Sequence, residues 1–209
     1  VSFSEYIVVG YSGHAFVICD AILESGFGTI MGYLDIKEST TNPYNLKYLG
    51  TEADFVDKVN KNDTLFVLGI GDNLIRTKVS DFLLSHGCLI GTIIHPAAWV
   101  SKTAEISSGV FVNATAAINS RANIDSDVIV NTGAIVEHDC TIGRGCHIAP
   151  GAVLAGNVMV GSGTFIGANA VVKQGIKIGN NVIIGAGSVI ISDIPDNVKV
   201  VGNPARMIC

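Results

Sequence analysis

Residues 118–148, INSRANIDSDVIVNTGAIVEHDCTIGRGCHI, set Ile118, Ile124, Val130, Val136, Ile142 and Ile148 six residues apart. The same step runs back through Val112 and Ile106 to Val100, and forward through Leu154, Val160, Ile166, Val172, Ile178 and Ile184 to Ile190, sixteen positions without an insertion. About one residue in three here is Ile, Leu or Val, so the run has a chance probability on the order of 10⁻⁸. Four positions after each aliphatic stands a small or compact residue, among them Ala116, Ala122, Ala134, Cys140, Cys146 and Ala152. A six-residue period smears around a helix of 3.6 residues per turn, but it fits short parallel strands joined by tight turns. Three hexapeptides then make one coil of a β-solenoid, and stacked coils bury the aliphatic columns that no single coil can bury.

The first half of the chain reads differently. YIVVG at 6–10 predicts a strand, Gly10-Tyr11-Ser12-Gly13-His14 a glycine turn, and AFVICDAILESG a helix. IMGYLD at 30–35 and TLFVLGIG at 64–71 predict further strands, while TEADFVDKVN and DNLIRTKVSDFLLSHG predict helices. This alternation implies a small Rossmann-like parallel sheet over 1–97, followed by the solenoid over 98–209. Ligands of such sheets sit at the carboxyl ends of the strands, where Gly10–His14, Asp35–Lys37 and Gly69–Asn73 gather. Neither turn carries the full G-x-G-x-x-G pattern, which argues against a nicotinamide cofactor, although their N–H groups suit an anion such as a diphosphate.

Composition narrows the classes of function. The 209 residues carry a net charge of −5 and no Lys/Arg-rich run, which argues against a general nucleic-acid or acidic-membrane surface. Hydrophobic residues make up 48% but never form an uninterrupted span of the roughly 20 that crosses a bilayer. The first residues lack a basic leader, so the expected compartment is the cytoplasm. Five cysteines, with no C-x-x-C pair, predict neither a disulfide framework nor a zinc site. Cys140 and Cys146 are expected as small buried residues, and Cys19, Cys88 and Cys209 carry no recognisable chemistry.

Taken together, GYSGHA at 10–15, YLDIK at 33–37, GIGDNLIR at 69–76, NTGAIVEHDCTIG at 131–143, HIAPGAVLAGNV at 147–158 and VGNPAR at 201–206 resemble the hexapeptide-repeat sugar acetyltransferases. The similarity is to the sialic acid O-acetyltransferase and bacillosamine-pathway N-acetyltransferase type, and it covers essentially the whole chain. It implies a left-handed parallel β-helix and a homotrimer with active sites between subunits. It also implies acetyl transfer from acetyl-CoA, without a metal, to an amine on a nucleotide-linked sugar. The expected acceptor is the 4-amino group of a 4-amino-4,6-dideoxy sugar on UDP, with dTDP or GDP versions behind it. Sugar O-acetylation and a non-catalytic trimeric scaffold are the alternatives.

Attack of an amine on a thioester needs a base and donors for the oxyanion. His138 follows inward Val136 by two residues, so it falls at a turn and faces outward as the base. Asp139 or Glu137 orients it; Asp139 departs from the Glu that the family pattern has there. Gly156, one coil further on, stacks on His138 and offers its N–H to the oxyanion. For the acceptor, the resemblance implies contacts from Gly10, Ser12, Gly13 and His14, from Asp35 and Lys37, and from Gly71, Asn73 and Asn131. For the coenzyme it implies His147, Gly156, Ala168, Gly185 and Gly187.

Overall fold

In the computed structural model of the chain, which describes residues 5–26, 28–60 and 63–208, each hexapeptide from Val100 to Ile190 forms a two-residue strand and a corner. The aliphatic ends its strand and points inward; Ile118, Ile124, Val130, Val136, Ile142, Ile148 and Leu154 are wholly buried. The compact residues between strands join the same core. Each strand pairs in parallel with its counterpart one coil on: Ile129–Val130 with His147–Ile148, Ile135–Val136 with Val153–Leu154, and Thr141–Ile142 with Met159–Val160. Three walls result, each one strand per coil.

Buried polar groups at the inward positions are satisfied within the coil. Cys140 Sγ donates to Ala155 O at 3.2 Å, Cys146 Sγ to Gly161 O at 3.0 Å, and Thr164 Oγ1 to Gly179 O at 2.8 Å. The two thiols therefore act as small buried donors, as their repeat positions implied. Cys209 lies outside the described residues.

The corners need left-handed backbone. Arg121, Asp127, Asp139 and Asn157 have φ of 60°, 60°, 61° and 59°, and Gly133, Gly145 and Gly151 take the same role. Gly, Asn and Asp tolerate this region. Arg121 and Thr115 are the other residue types held there among the described residues.

At the end of the solenoid the step shortens. Ile183–Ile184 pairs with Lys199–Val200, sixteen residues on, and the chain turns back as the antiparallel strand Ala205–Ile208. The hairpin closes the last coil.

The first unit, Val1–Pro96, carries β1 (Glu5–Val9), α1 (Gly13–Ser25), β2 (Thr29–Leu34), α2 (Glu52–Phe55), β3 (Thr64–Leu68), α3 (Asn73–Ser85) and β4 (Leu89–Ile90). Its sheet is parallel in the order β2-β1-β3-β4. Ile7, Val9, Leu34, Phe66, Leu83 and Ile90 form its core. The order reverses between β1 and β3, so the loops after these two strands diverge from one crevice. TEADFVDKVN was expected as one helix; only its first turn, α2, forms. The chain leaves the helix after Phe55, with Val56 buried in the core and Phe55 and Val59 packed against it.

Candidate active site

The corner after Ile135–Val136 holds the predicted dyad. Val136 is buried, which sends Glu137, His138 and Asp139 over the edge of the solenoid. His138 Nδ1 lies 2.8 Å from Asp139 Oδ2, and Arg121 Nε lies 3.0 Å from Asp139 Oδ1. Glu137 instead accepts the His138 backbone N–H at 3.4 Å, so the ring is held by Asp139. The hydrogen bond from His138, followed by the charge of Arg121, keeps the Asp139 carboxyl below its ordinary value. An ionised Asp139 fixes the proton on Nδ1 and leaves Nε2 to accept one.

Gly156 stands where the repeat predicted. Asn157 N–H donates to His138 O at 2.8 Å, and a Cβ at residue 156 would lie 2.6 Å from both Cε1 and Nε2 of His138. At several corners a side chain caps the first N–H: Asn113 caps Ala114, Asp125 caps Ser126, and Asn131 caps Thr132. The equivalent residue before Gly156 is Ala155, which has no oxygen to offer. The Gly156 N–H donates to no group among the described residues. Beside Asp139 a cleft of about 450 Å³ opens, lined by Thr103, Glu105, Arg121, Asn123, Thr141 and Asn157.

Other expected residues of the solenoid lie on different edges. Asn131 accepts from Asn113 Nδ2 at 3.0 Å and from Thr132 N, and its amide nitrogen lies 3.1 Å from His147 Nε2. The Asn131 amide thus links two coils and holds His147, whose ring meets Phe165 edge-on at 5.1 Å. Gly185 and Gly187 were expected to present backbone groups to the coenzyme. Their N–H groups are taken, by Val200 O and Ala168 O at 2.8 Å each, because both serve the coil-to-coil ladder. The N–H groups of Ala168 and Ala186, stacked one coil apart, donate to no described group.

In the first unit the loops after β1 and β3 touch. Gly69 N–H donates to Val9 O at 2.7 Å, and a Cβ on Gly10, at φ +80°, would come within 2.7 Å of Ile70 Cγ1. Gly71 stands beside His14. Ser12 and Gly13 are exposed at the start of α1, and the Ser12 side chain makes no cap. The Asp35 carboxylate accepts from Tyr11 N at 2.8 Å and Ile36 N at 2.7 Å, tying the loop after β2 to the glycine turn; Lys37 is exposed. Tyr11 stacks on Tyr33 at 4.0 Å beneath them.

Arg76 organises the second loop, a role the sequence reading did not assign. It is buried, with Nη1 donating to the carbonyls of Ile70 and Gly71 at 3.1 Å each and Nη2 to Asn73 Oδ1 at 2.9 Å. Asn73 is therefore committed through its oxygen. Burial, then the Arg76 charge, pushes the His14 imidazole down to about 4, so this ring is neutral near pH 7. Asp72 caps α3 through Ile75 N at 2.9 Å.

A parallel β-helix with an outward histidine–carboxylate pair, preceded by a small parallel-sheet unit, defines a hexapeptide-repeat transferase. Residues 5–83 match the PglD N-terminal domain, and 121–156 and 157–192 match the six-repeat bacterial transferase hexapeptide. Among solved structures, the acetyltransferase domain of PglB from Neisseria gonorrhoeae FA1090 is 33% identical, with a TM-score of 0.93 over 98% of this chain and 99% of that one. The same domain is also known in complex with acetyl coenzyme A. PerB from Caulobacter crescentus, in complex with CoA and GDP-perosamine, is 33% identical with a TM-score of 0.92 over 99% of this chain and 98% of that one. WeeI from Acinetobacter baumannii AYE is 25% identical, with a TM-score of 0.88 over 98% of this chain and all of that one. No curated protein sequence matches. The chain belongs to the hexapeptide-repeat acetyltransferases with a PglD-type N-terminal domain, and its solenoid is the left-handed parallel β-helix of that family. No group of His, Cys, Asp and Glu among the described residues is arranged to hold a metal, and no described helix is long and apolar enough to cross a membrane.

Proposed function

We propose that the protein transfers the acetyl group of acetyl-CoA to the 4-amino group of a nucleotide-linked 4-amino-4,6-dideoxy sugar, with UDP as the nucleotide. The GDP-perosamine bound to PerB favours GDP as the second candidate. The observation that carries the reading is the Nε2 of His138, oriented through Asp139, beside the uncapped N–H of Gly156.

The transfer is direct. The amine nitrogen attacks the thioester carbonyl, and the carbonyl oxygen takes up negative charge that the Gly156 N–H receives. His138 Nε2 removes the proton that the nitrogen acquires, and the resulting imidazolium is balanced by Asp139. Collapse breaks the carbon–sulfur bond; the coenzyme thiolate leaves and takes the proton from His138, giving an N-acetyl sugar and free CoA. The glycine turn at the start of α1, whose serine leaves the helix N-terminus uncapped, supports binding of the sugar-nucleotide diphosphate. His14, being neutral, serves there as a hydrogen-bonding group rather than a cation.

The reading includes a homotrimer working in the cytoplasm. The outward residues of one wall are Trp99, Ala117, Ile135, Val153, Val171 and Val189, whereas the next wall presents Glu105, Asn123, Thr141, Met159 and Lys177. Trp99 is 66% exposed and Val171 42%, an apolar stripe that suits a second copy of the chain. His138 follows that wall directly, which supports an active site at the edge of a subunit interface.

The test mixes the protein with acetyl-CoA and a panel of UDP-, dTDP- and GDP-linked 4-amino sugars plus sialic acid, and follows free thiol. Turnover with one amino sugar is expected, with loss in His138→Ala. Turnover with sialic acid alone overturns N-acetylation, and failure to bind acetyl-CoA overturns the enzymatic reading.

A further inference from the structure

We propose that Arg121 is a positioning residue of the acetyl transfer, holding the Asp139 carboxylate in the rotamer that orients His138. The inference rests on His138 as the base.

Three observations converge on it. The first is geometric: Asp139 divides its carboxylate, Oδ2 to His138 Nδ1 at 2.8 Å and Oδ1 to Arg121 Nε at 3.0 Å. A carboxylate held at one oxygen alone rotates about its Cβ–Cγ bond, whereas one held at both oxygens does not. The chain is His138–Asp139–Arg121, built from two stacked corners one coil apart.

The second observation is backbone conformation. Arg121 occupies the left-handed corner position, φ 60°, which the repeat elsewhere gives to Gly, Asn or Asp, with Thr115 as its companion exception. A residue with a long side chain is disfavoured there by about 1 kcal/mol or more relative to those types. The backbone gains nothing from arginine at this corner. Its N–H is satisfied by Thr103 Oγ1 at 3.2 Å, a bond that Asn or Gly would make equally well.

The third is solvent exposure. The Arg121 side chain is 78% exposed and that of Asp139 37%, so their ion pair adds little to stability. A strained residue making a weakly stabilising pair is accounted for by what the pair orients. The cleft beside Asp139 is lined by Arg121, so the guanidinium also bounds the space next to the dyad.

Arg121→Asn and Arg121→Lys distinguish orientation of the dyad from a structural role. Arg121→Asn relieves the backbone, so its Tm is expected to equal or exceed that of the parent. Its kcat should fall about tenfold, with KM for acetyl-CoA and the amino sugar within about twofold. The ring-nitrogen NMR resonances of His138, recorded on the neutral ring, should move from the Nδ1–H form held by Asp139 toward a mixture of the two tautomers. Arg121→Lys restores only part of this signature and of kcat, because an ammonium lacks the directed Nε–H. Unchanged ring resonances and kcat in Arg121→Asn overturn the proposal, and so does a loss of kcat that tracks a fall in Tm with no change in the ring resonances. The spectrum needs no turnover, so it is read separately from the assay of the reaction: a His138→Ala enzyme with parental kcat sinks the base assignment, whereas unmoved ring resonances sink only the role of Arg121.

Discussion

The His138 imidazole fills the space in which a side chain at residue 156 would stand: a Cβ there would lie 2.6 Å from both Cε1 and Nε2. Glycine at 156 is therefore a condition for the ring to keep its bond to Asp139 in this place. The φ of Gly156 is not in the left-handed region, so alanine fits the backbone and its nearest contacts are with the ring. Gly156→Ala is expected to lower kcat about 10²-fold by displacing the imidazole, with stability changed by less than about 1 kcal/mol at this solvent-facing corner. Steady-state kinetics alongside a thermal melt check it. A variant with parental kcat would mean that the ring does not work from this position.

His138→Ala removes the base and leaves the Gly156 donor and both binding surfaces in place. A positioned general base contributes about 10²–10⁴-fold. For an amine acceptor, kcat is expected to fall toward the lower end of that range, about 10²–10³-fold, with KM little changed, because a neutral amine is already a good nucleophile. A fall beyond about 10⁴-fold would point to a hydroxyl acceptor, which depends far more on deprotonation.

Much of this site was legible in the repeat. A strict period of six assigns every residue to strand, corner or core, so the outward turn of His138 and the stacking of Gly156 upon it follow from counting. Counting alone did not single out Arg121. Its signal was present, since the third residue after each aliphatic is usually Gly, Asn or Asp and an arginine there breaks the pattern. At Gly185 and Gly187 composition hides a constraint: glycine at a corner offers a close approach, but the ladder has already claimed those two N–H groups. In the first unit, the strand–turn–helix order gave the sheet. What Asp35 binds within the chain, and the buried guanidinium of Arg76, depend on side-chain packing that has no period.

His14 makes the first unit sensitive to acid. Its folded pKa is about 4, lowered by burial and then by Arg76, against about 6.5 when exposed. The unfolded chain then binds more protons than the native one between these values. Stability from this group is complete above about pH 6.5 and lost as pH falls toward about 4, by up to about 3 kcal/mol. His14→Gln, which cannot titrate, is expected to flatten the stability curve in that window. Urea melts at pH 7.5 and pH 5 on both proteins measure it, and an identical slope in the two would sink the assignment.

Val171 tests the assembly. It is the fifth of the six outward residues of the wall that runs from Trp99 to Val189, and at 42% exposure its side chain contributes nothing that the solenoid core needs. A carboxylate introduced there meets water in a monomer but is stripped of solvent when a second copy covers the wall, at a cost of several kcal/mol per buried charge. Val171→Glu is therefore expected to leave the thermal melt of the solenoid cooperative while sedimentation velocity moves from a trimer of 21.8 kDa chains to a monomer. Because His138 stands at the edge of that wall, the monomer should also lose turnover. Should the variant sediment as the parent does and keep its activity, the apolar wall is not the interface and the site is complete within one chain.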